Sequence, residues 1–280
     1  MAGPRVVTDS SCDLPAALVA ELDIEIVPLT IRFGAEELVD RQDLSPKEFW
    51  ARCATSPVLP ETAAPSAGAF EDAYRRAAAA GADGVVAITI SSQLSATGQS
   101  AQMAAKSVQG DIPVRTVDSL SVTMGLGMIV ADAARLAAEG KSADEVAARA
   151  ESLVARTRVY GALDTLENLK KGGRVGGAQA LIGSMLSIKP IIEVRDGQVE
   201  PESRQRTRSR ALRYIADKVR DSGNIENLAV MHGDAPDLDE FIELLEPHFP
   251  RDKMVIGDIG AVIGAHGGPR VIGVAFQVPA

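Results

Sequence analysis

The sequence predicts an α/β protein of two domains, one around a parallel sheet and one around a mixed sheet. Three observations predict it. Before residue 160, strand signals alternate with helix signals, the order that produces a parallel sheet with helices on both faces. After residue 160, Asp196-Gly197 sits between two extended runs, Ile191 to Val194 and Gln198 to Glu200. Both positions of that pair tolerate positive φ, so it marks a hairpin, which a purely parallel sheet lacks. At 280 residues, 46% of them hydrophobic, the chain is also long enough to bury two cores. The expected domains are 1–160 and 161–280.

The elements follow in order. Arg5 to Thr8 reads as a strand ending at Asp9-Ser10-Ser11, and a helix begins near Asp13 and Pro15, a polar cap with proline in the first turn. Ile24 to Phe33 reads as extended. Ser45-Pro46-Lys47-Glu48 is a capping box that opens a helix through Cys53. Ser66 starts the next helix and Gly81 stops it. Gly84 to Ile90 is rich in β-branched residues and reads as a buried strand. A helix from about Ser95 to Val108, a strand from Pro113 to Val117 and a long helix to Glu139 follow. Ser142-Ala143-Asp144-Glu145 is a second capping box. In the second half, Asp164-Thr165-Leu166-Glu167 caps a short helix, and a glycine-rich stretch runs from Gly172 to Gly177. A helix then carries a basic segment, Asn227 to His232 is a strand, and Asp237 to Phe249 a helix. Gly264 to Pro269 reads as a glycine-rich turn before a last strand.

Composition removes several functions. The net charge is −9, against the clustered lysine and arginine that a nucleic-acid backbone demands. Aromatic residues make up only 4%, too few for base-stacking platforms. One segment runs against the charge balance: Arg204, Arg206, Arg208, Arg210, Arg213, Lys218 and Arg220. Cys12 and Cys53 fit no metal spacing and read as two reduced thiols. No apolar run reaches the length of a bilayer span, and Met1 to Arg5 leads into a strand without a cleavage-like segment. The expectation is a soluble cytoplasmic protein without stable membrane insertion, open to transient membrane contact.

The richest chemistry lies where a buried strand gives way to a helix, in Ser91-Ser92-Gln93-Leu94-Ser95-Ala96-Thr97. Ligands of open parallel sheets bind at the carboxyl ends of strands, and a helix N-terminus favours anions. No lysine follows, so the segment is not a nucleotide-hydrolase phosphate loop. Hydroxyls with backbone donors suit a singly charged anion such as a carboxylate; the competing reading is ordinary helix capping. Ser10 and Ser11 also fall on the carboxyl edge of a strand, and Thr62 precedes a helix cap. Arg174 stands between two glycine pairs, and His266 lies in the second glycine-rich turn. Two enzymatic or phosphate-binding alternatives stay open. Ser92 with His266 would be the pair of a serine hydrolase, although no Gly-x-Ser-x-Gly elbow is present. The Gly172 to Gly177 stretch would serve a phosphosugar or nucleotide.

Together these segments resemble the DegV family over nearly the whole chain. Val7-Thr8-Asp9-Ser10-Ser11-Cys12-Asp13-Leu14-Pro15 is similar to that family's opening. Thr62 to Ser66, Ser91 to Gln99, Leu169 to Val175 with Ile188-Lys189-Pro190-Ile191, and Gly264 to Pro269 follow in the family's order. The resemblance implies a two-domain fold, an N-terminal Rossmann-like domain and a C-terminal α/β domain. It implies one long-chain fatty acid, such as palmitate, stearate or oleate, bound between them without any cofactor. In similar proteins a threonine and a serine hold the carboxylate; the matching positions are Thr62 and Ser92, with Ser91 and Ser95 beside them. By the same resemblance Arg174, His266, Ser10 and Ser11 lie near the head group or a partner surface. The acyl tunnel falls to the C-terminal domain, with Leu163, Leu166, Ile182, Met185, Leu186, Ile188 and Ile191 as candidate lining. Some members are non-catalytic subunits of a fatty acid kinase in phospholipid metabolism, and Arg204, Arg206 and Arg208 are candidates for docking that partner. Ala63, Ala64, Ala96 and Gly98 depart from the family's residues around the site.

Energetics fit an acyl ligand. Burial contributes about 0.8 kcal/mol per methylene, so a chain of ~16 carbons offers on the order of 10 kcal/mol before ordering costs. Affinity can come from the tail. The head must only meet the hydrogen-bonding demand of a desolvated carboxylate.

Overall fold

The computed structural model describes residues 3–181 and 188–279. In chain order the first half runs β1 (Arg5–Asp9), α1 (Ala16–Glu21), β2 (Glu25–Val27), β3 (Thr30–Phe33), β4 (Glu36–Val39), α2 (Pro46–Cys53), β5 (Glu61–Ala63), α3 (Ala67–Ala79), β6 (Val85–Thr89), α4 (Thr97–Ser107), β7 (Val114–Asp118), α5 (Thr123–Ala138) and α6 (Ala143–Val154). The second half runs β8 (Thr157–Ala162), α7 (Glu167–Lys171), β9 (Lys189–Arg195), β10 (Gln198–Gln205), α8 (Arg208–Asp221), β11 (Asn227–His232), α9 (Leu238–Leu245), β12 (Val255–Asp258), α10 (Ala261–Gly267) and β13 (Ile272–Gln277).

Three sheets result. β2-β1-β6-β7 is parallel throughout. β6 sits inside it and is buried along its whole length, as its β-branched run requires. β4-β3-β5 is a small antiparallel sheet beside it. β10-β9-β8-β13-β11-β12 is mixed, with only β11 and β12 parallel. The expected α/β class, parallel sheet first and mixed sheet second, is therefore the observed one. Residue 160 falls inside β8. We propose that the division between the halves lies at the turn joining α6 to β8, because the mixed sheet draws all its strands from Thr157 onward.

Local chemistry explains most boundaries. Ser45 and Glu48 form a complete capping box on α2, and Ser142 and Glu145 another on α6. Ser66 accepts the Ala69 N–H and caps α3. Asp196 and Gly197, at φ 51° and 78°, turn β9 into β10. Two expectations change. Asp164 does not cap α7; Thr165 accepts the Glu167 N–H, while the Asp164 carboxylate pairs with Lys189 at 2.7 Å and Arg270 at 3.5 Å. Gly264 to Gly267 is not a turn but the end of α10. A Cβ on Gly264 would lie 2.6 Å from the Phe49 ring and 2.7 Å from the Trp50 ring, so that glycine permits close packing rather than chain reversal.

The mixed sheet buries both faces, and strand alternation decides which residue goes where. One face packs Tyr160, Ala162, Ile191, Val230, Ile272 and Val274 under α8 and α9. The other turns Val159, Val194, Met231 and Ala275 toward the first half, in one core cluster with Val6, Ile88, Phe49 and Trp50. No helix among the described residues is long and apolar enough to cross a membrane.

Candidate functional site

A cavity of about 260 Å³ lies between the two halves. Its walls are mostly apolar: Leu29, Ile90, Leu94 and Val122 from the first half, Val159, Leu163, Ile192, Val194 and Met231 from the second. Its polar lining side chains are Thr62, Ser95, Arg174 and His266, together with Thr123. Thr62, Arg174 and His266 also line an outer groove of about 540 Å³ with Val58, Leu59, Glu61, Asn168 and Lys171. These three side chains therefore form the wall between the cavity and the outside.

Each is placed by a different element. Thr62 stands in β5, opposite Ile31 of β3. His266 is in the last turn of α10, with the Asn168 amide donating to the Ala265 carbonyl at 3.1 Å to hold that end. Thr62 Oγ1 and His266 Nε2 are 3.0 Å apart. Burial, aided by the Arg174 charge, pushes the His266 imidazole down to about 4, so it is neutral at pH 7. Its Nδ1 is buried and has no partner among the described residues. A buried lone pair is more tolerable than a buried orphan N–H, which places the proton on Nε2, donating to Thr62. The Thr62 hydroxyl proton is then free to donate to a ligand. Arg174 donates from Nε to the Leu94 carbonyl at 3.1 Å and from Nη1 to the Gly172 carbonyl at 2.7 Å. Among the described residues lining the cavity it is the only lysine or arginine. The arrangement offers one cation, hydroxyl donors and a neutral imidazole to a monoanion, and an apolar enclosure to the rest of the molecule.

Gly172 is part of this construction, since a Cβ there would overlap His266 Nδ1. Gly172→Ala is expected to destabilise the fold by about 1–3 kcal/mol and to displace the imidazole from Thr62. A thermal melt together with the histidine NMR signals would check it; an unchanged His266 environment would remove glycine's role.

The model for "Uncharacterised protein, DegV family" matches residues 4–278. The chain belongs to the DegV family. A DegV domain-containing protein of Streptomyces coelicolor is 36% identical over 277 residues, covering 97% of both chains. Among solved structures, "Fatty Acid Binding of a DegV family Protein from Thermus thermophilus" is 33% identical with TM-score 0.88, covering 99% of this chain and 100% of that one. "Crystal Structure of DegV, a fatty acid binding protein from Bacillus subtilis" is 28% identical with TM-score 0.87, covering 100% of both.

Within this DegV fold the sequence-derived candidates separate. Thr62, Ser95, Arg174, His266 and Leu163 line the cavity. Ser92 does not: it is exposed, and its N–H donates to Asp118 at 3.2 Å. The chain turns after β6, so Ser95 rather than Ser92 reaches the cavity. Ser91 is buried and donates to the Gly197 carbonyl at 2.7 Å, tying the β9–β10 turn to the first half. Ser10 and Ser11 are buried structural groups; Ser10 accepts the Leu29 N–H at 3.1 Å and Ser11 bonds Asp9. Ile191 faces α8, and its neighbour Ile192 lines the cavity instead. Leu166 is buried in the main core away from the cavity lining, and Ile188 is half-buried and also outside it. Ile182, Met185 and Leu186 lie outside the described residues.

Neither alternative chemistry finds its geometry. His266 meets Thr62 rather than Ser92, so the hydrolase pair is not formed. In the glycine-rich stretch, the N–H groups of Gly172, Gly173 and Arg174 donate to the Asn168, Lys170 and Leu169 carbonyls. They close the C-terminal, partially negative end of α7 and do not cradle a phosphate. Among the described residues, no group of His, Cys, Asp or Glu is suited to a metal ion. The basic segment is also divided. Arg208 is engaged bidentately by Asp237 at 2.7 and 3.1 Å, Arg204 bonds the Ala180 carbonyl, and Arg206 is exposed.

Proposed function

We propose that this protein binds one long-chain fatty acid in the cytoplasm and catalyses nothing alone. The carboxylate sits against Thr62, Ser95, Arg174 and His266, and the acyl chain fills the apolar cavity between the halves. The observation that carries the reading is the asymmetry of that cavity, mostly apolar, with the one cation among its described lining residues at the wall it shares with the outer groove. The fatty-acid-binding description of the Thermus thermophilus and Bacillus subtilis relatives supports it. Because Thr62, Arg174 and His266 also face the outer groove, a carboxylate held there lies within reach of a second protein. We take that protein to be a fatty acid kinase that makes the acyl phosphate for phospholipid metabolism. Arg206, which is exposed, is the residue kept for docking, Arg208 being engaged by Asp237 and Arg204 bonded to the Ala180 carbonyl.

Native mass spectrometry of the purified protein tests the reading. The expected spectrum shows the chain plus the mass of one fatty acid, which organic extraction removes. A chain that carries no lipid and takes up none from solution would end the proposal.

A further inference from the structure

Two glycines lie side by side in the cavity floor. Gly161 of β8 and Gly273 of β13 are a cross-strand pair, with Ile192 continuing the row on β9 and Met231 on β11. All four line the cavity. Missing side chains at adjacent positions of neighbouring strands open a trench across the sheet, walled by Ile192 and Met231.

The two glycines have different reasons to be there. A Cβ on Gly273 would overlap the Tyr160 carbonyl oxygen, so close approach of two backbones demands glycine. Gly161 is under no such demand. It is not among the residues of positive φ. Among the described residues, the atoms nearest to a Cβ on it would be Ile192 Cγ1 at 3.6 Å, Ile192 Cδ1 at 3.8 Å and Leu163 Cδ1 at 3.9 Å, ordinary contact distances to side chains that themselves line the cavity. Glycine weakens a strand interior because it packs nothing and has more backbone freedom to lose. The fold therefore accepts a side chain at 161, and what a side chain would remove is cavity.

We infer that Gly161 is a specificity-determining position: its missing side chain leaves the trench through which a long acyl chain passes, and a larger residue restricts the site to shorter chains. This rests on the fatty-acid reading above. Each methylene lost from the buried chain lowers affinity about fourfold. A side chain at 161 is therefore expected to discriminate by length while leaving the head-group contacts of Thr62 and Arg174 intact.

The experiment compares wild type, Gly161→Ala and Gly161→Val. Bound lipid is extracted and its chain length read by mass spectrometry, and the delipidated proteins are titrated with saturated fatty acids of ten to eighteen carbons. The alanine variant should shift the preference between the longest and shortest ligands about fourfold toward the short ones. The valine variant should shift it by on the order of tenfold or more. Equal length profiles in wild type and alanine variant would overturn the inference, and the alanine variant alone decides if the valine protein does not fold. A wild type that binds no fatty acid would instead remove the underlying functional reading, an outcome recognisable before any variant is compared.

Discussion

Trp50→Ala is expected to cost about 3–5 kcal/mol, the range for emptying a buried tryptophan site. Trp50 lies on α2, in the first half, yet its indole N–H donates to the Ile259 carbonyl at 3.0 Å just ahead of α10. The ring stacks edge-on against Phe49 at 4.9 Å and fits over Gly264 of α10. Gly233, which follows β11, leaves room for the same ring. Truncation would leave a void between α2 and α10 and an unpaired carbonyl beside it. For a chain of this size the melting temperature should fall by roughly 10 °C. Trp50→Phe keeps most of the filling and loses the donor, so a loss of about 1–2 kcal/mol is expected. Because α10 carries His266, the alanine variant should also release bound lipid more readily than the phenylalanine variant. An alanine variant melting within two degrees of wild type would mean that α10 is not held by this wedge.

That wedge also shows how far the sequence could be read. The capping boxes at Ser45 and Ser142, the Asp196-Gly197 turn and the buried run of β6 each depend on residues close in the chain, and each is legible. α10 was not, because glycines at 264, 267 and 268 read as a turn until Phe49 and Trp50, more than 200 residues earlier in the chain, supply the reason for the first of them. The short strand β5 is similar: three residues gain their conformation from β3 and carry Thr62 into the wall of the cavity. Ser92 and Ile191 stand off the cavity lining for a matter of direction. One residue along a strand reverses the face, which exchanges Ile191 for Ile192. In the non-periodic turn after β6, no pattern tells Ser92 from Ser95. Family resemblance pointed to segments, several of which reach the cavity, and the fold decides which side chains within them line it.

Arg174→Ala is expected to weaken fatty-acid binding by about 3 kcal/mol, roughly 100-fold. The reason is an asymmetry of cost: a carboxylate in an apolar cavity needs its charge met, and Arg174 is the only arginine or lysine among the described lining residues. Thr62→Val keeps the shape and removes the hydroxyl that His266 orients, so a smaller loss, about 1–2 kcal/mol, is expected. Repeating the titrations with the methyl ester separates charge recognition from misfolding. The ester lacks the negative charge, so its affinity should be nearly equal for wild type and Arg174→Ala while the acid discriminates strongly. The wild-type affinity for the acid should also stay flat from pH 6 to 8, because burial has pushed His266 down to about 4 and it is uncharged across that window. A step near pH 6.5 would mean that an imidazolium shares the anion with Arg174. An equal loss for acid and ester would mean that Arg174 holds the wall together rather than the head group, and the polar end of the ligand would then have to be sought elsewhere along the cavity.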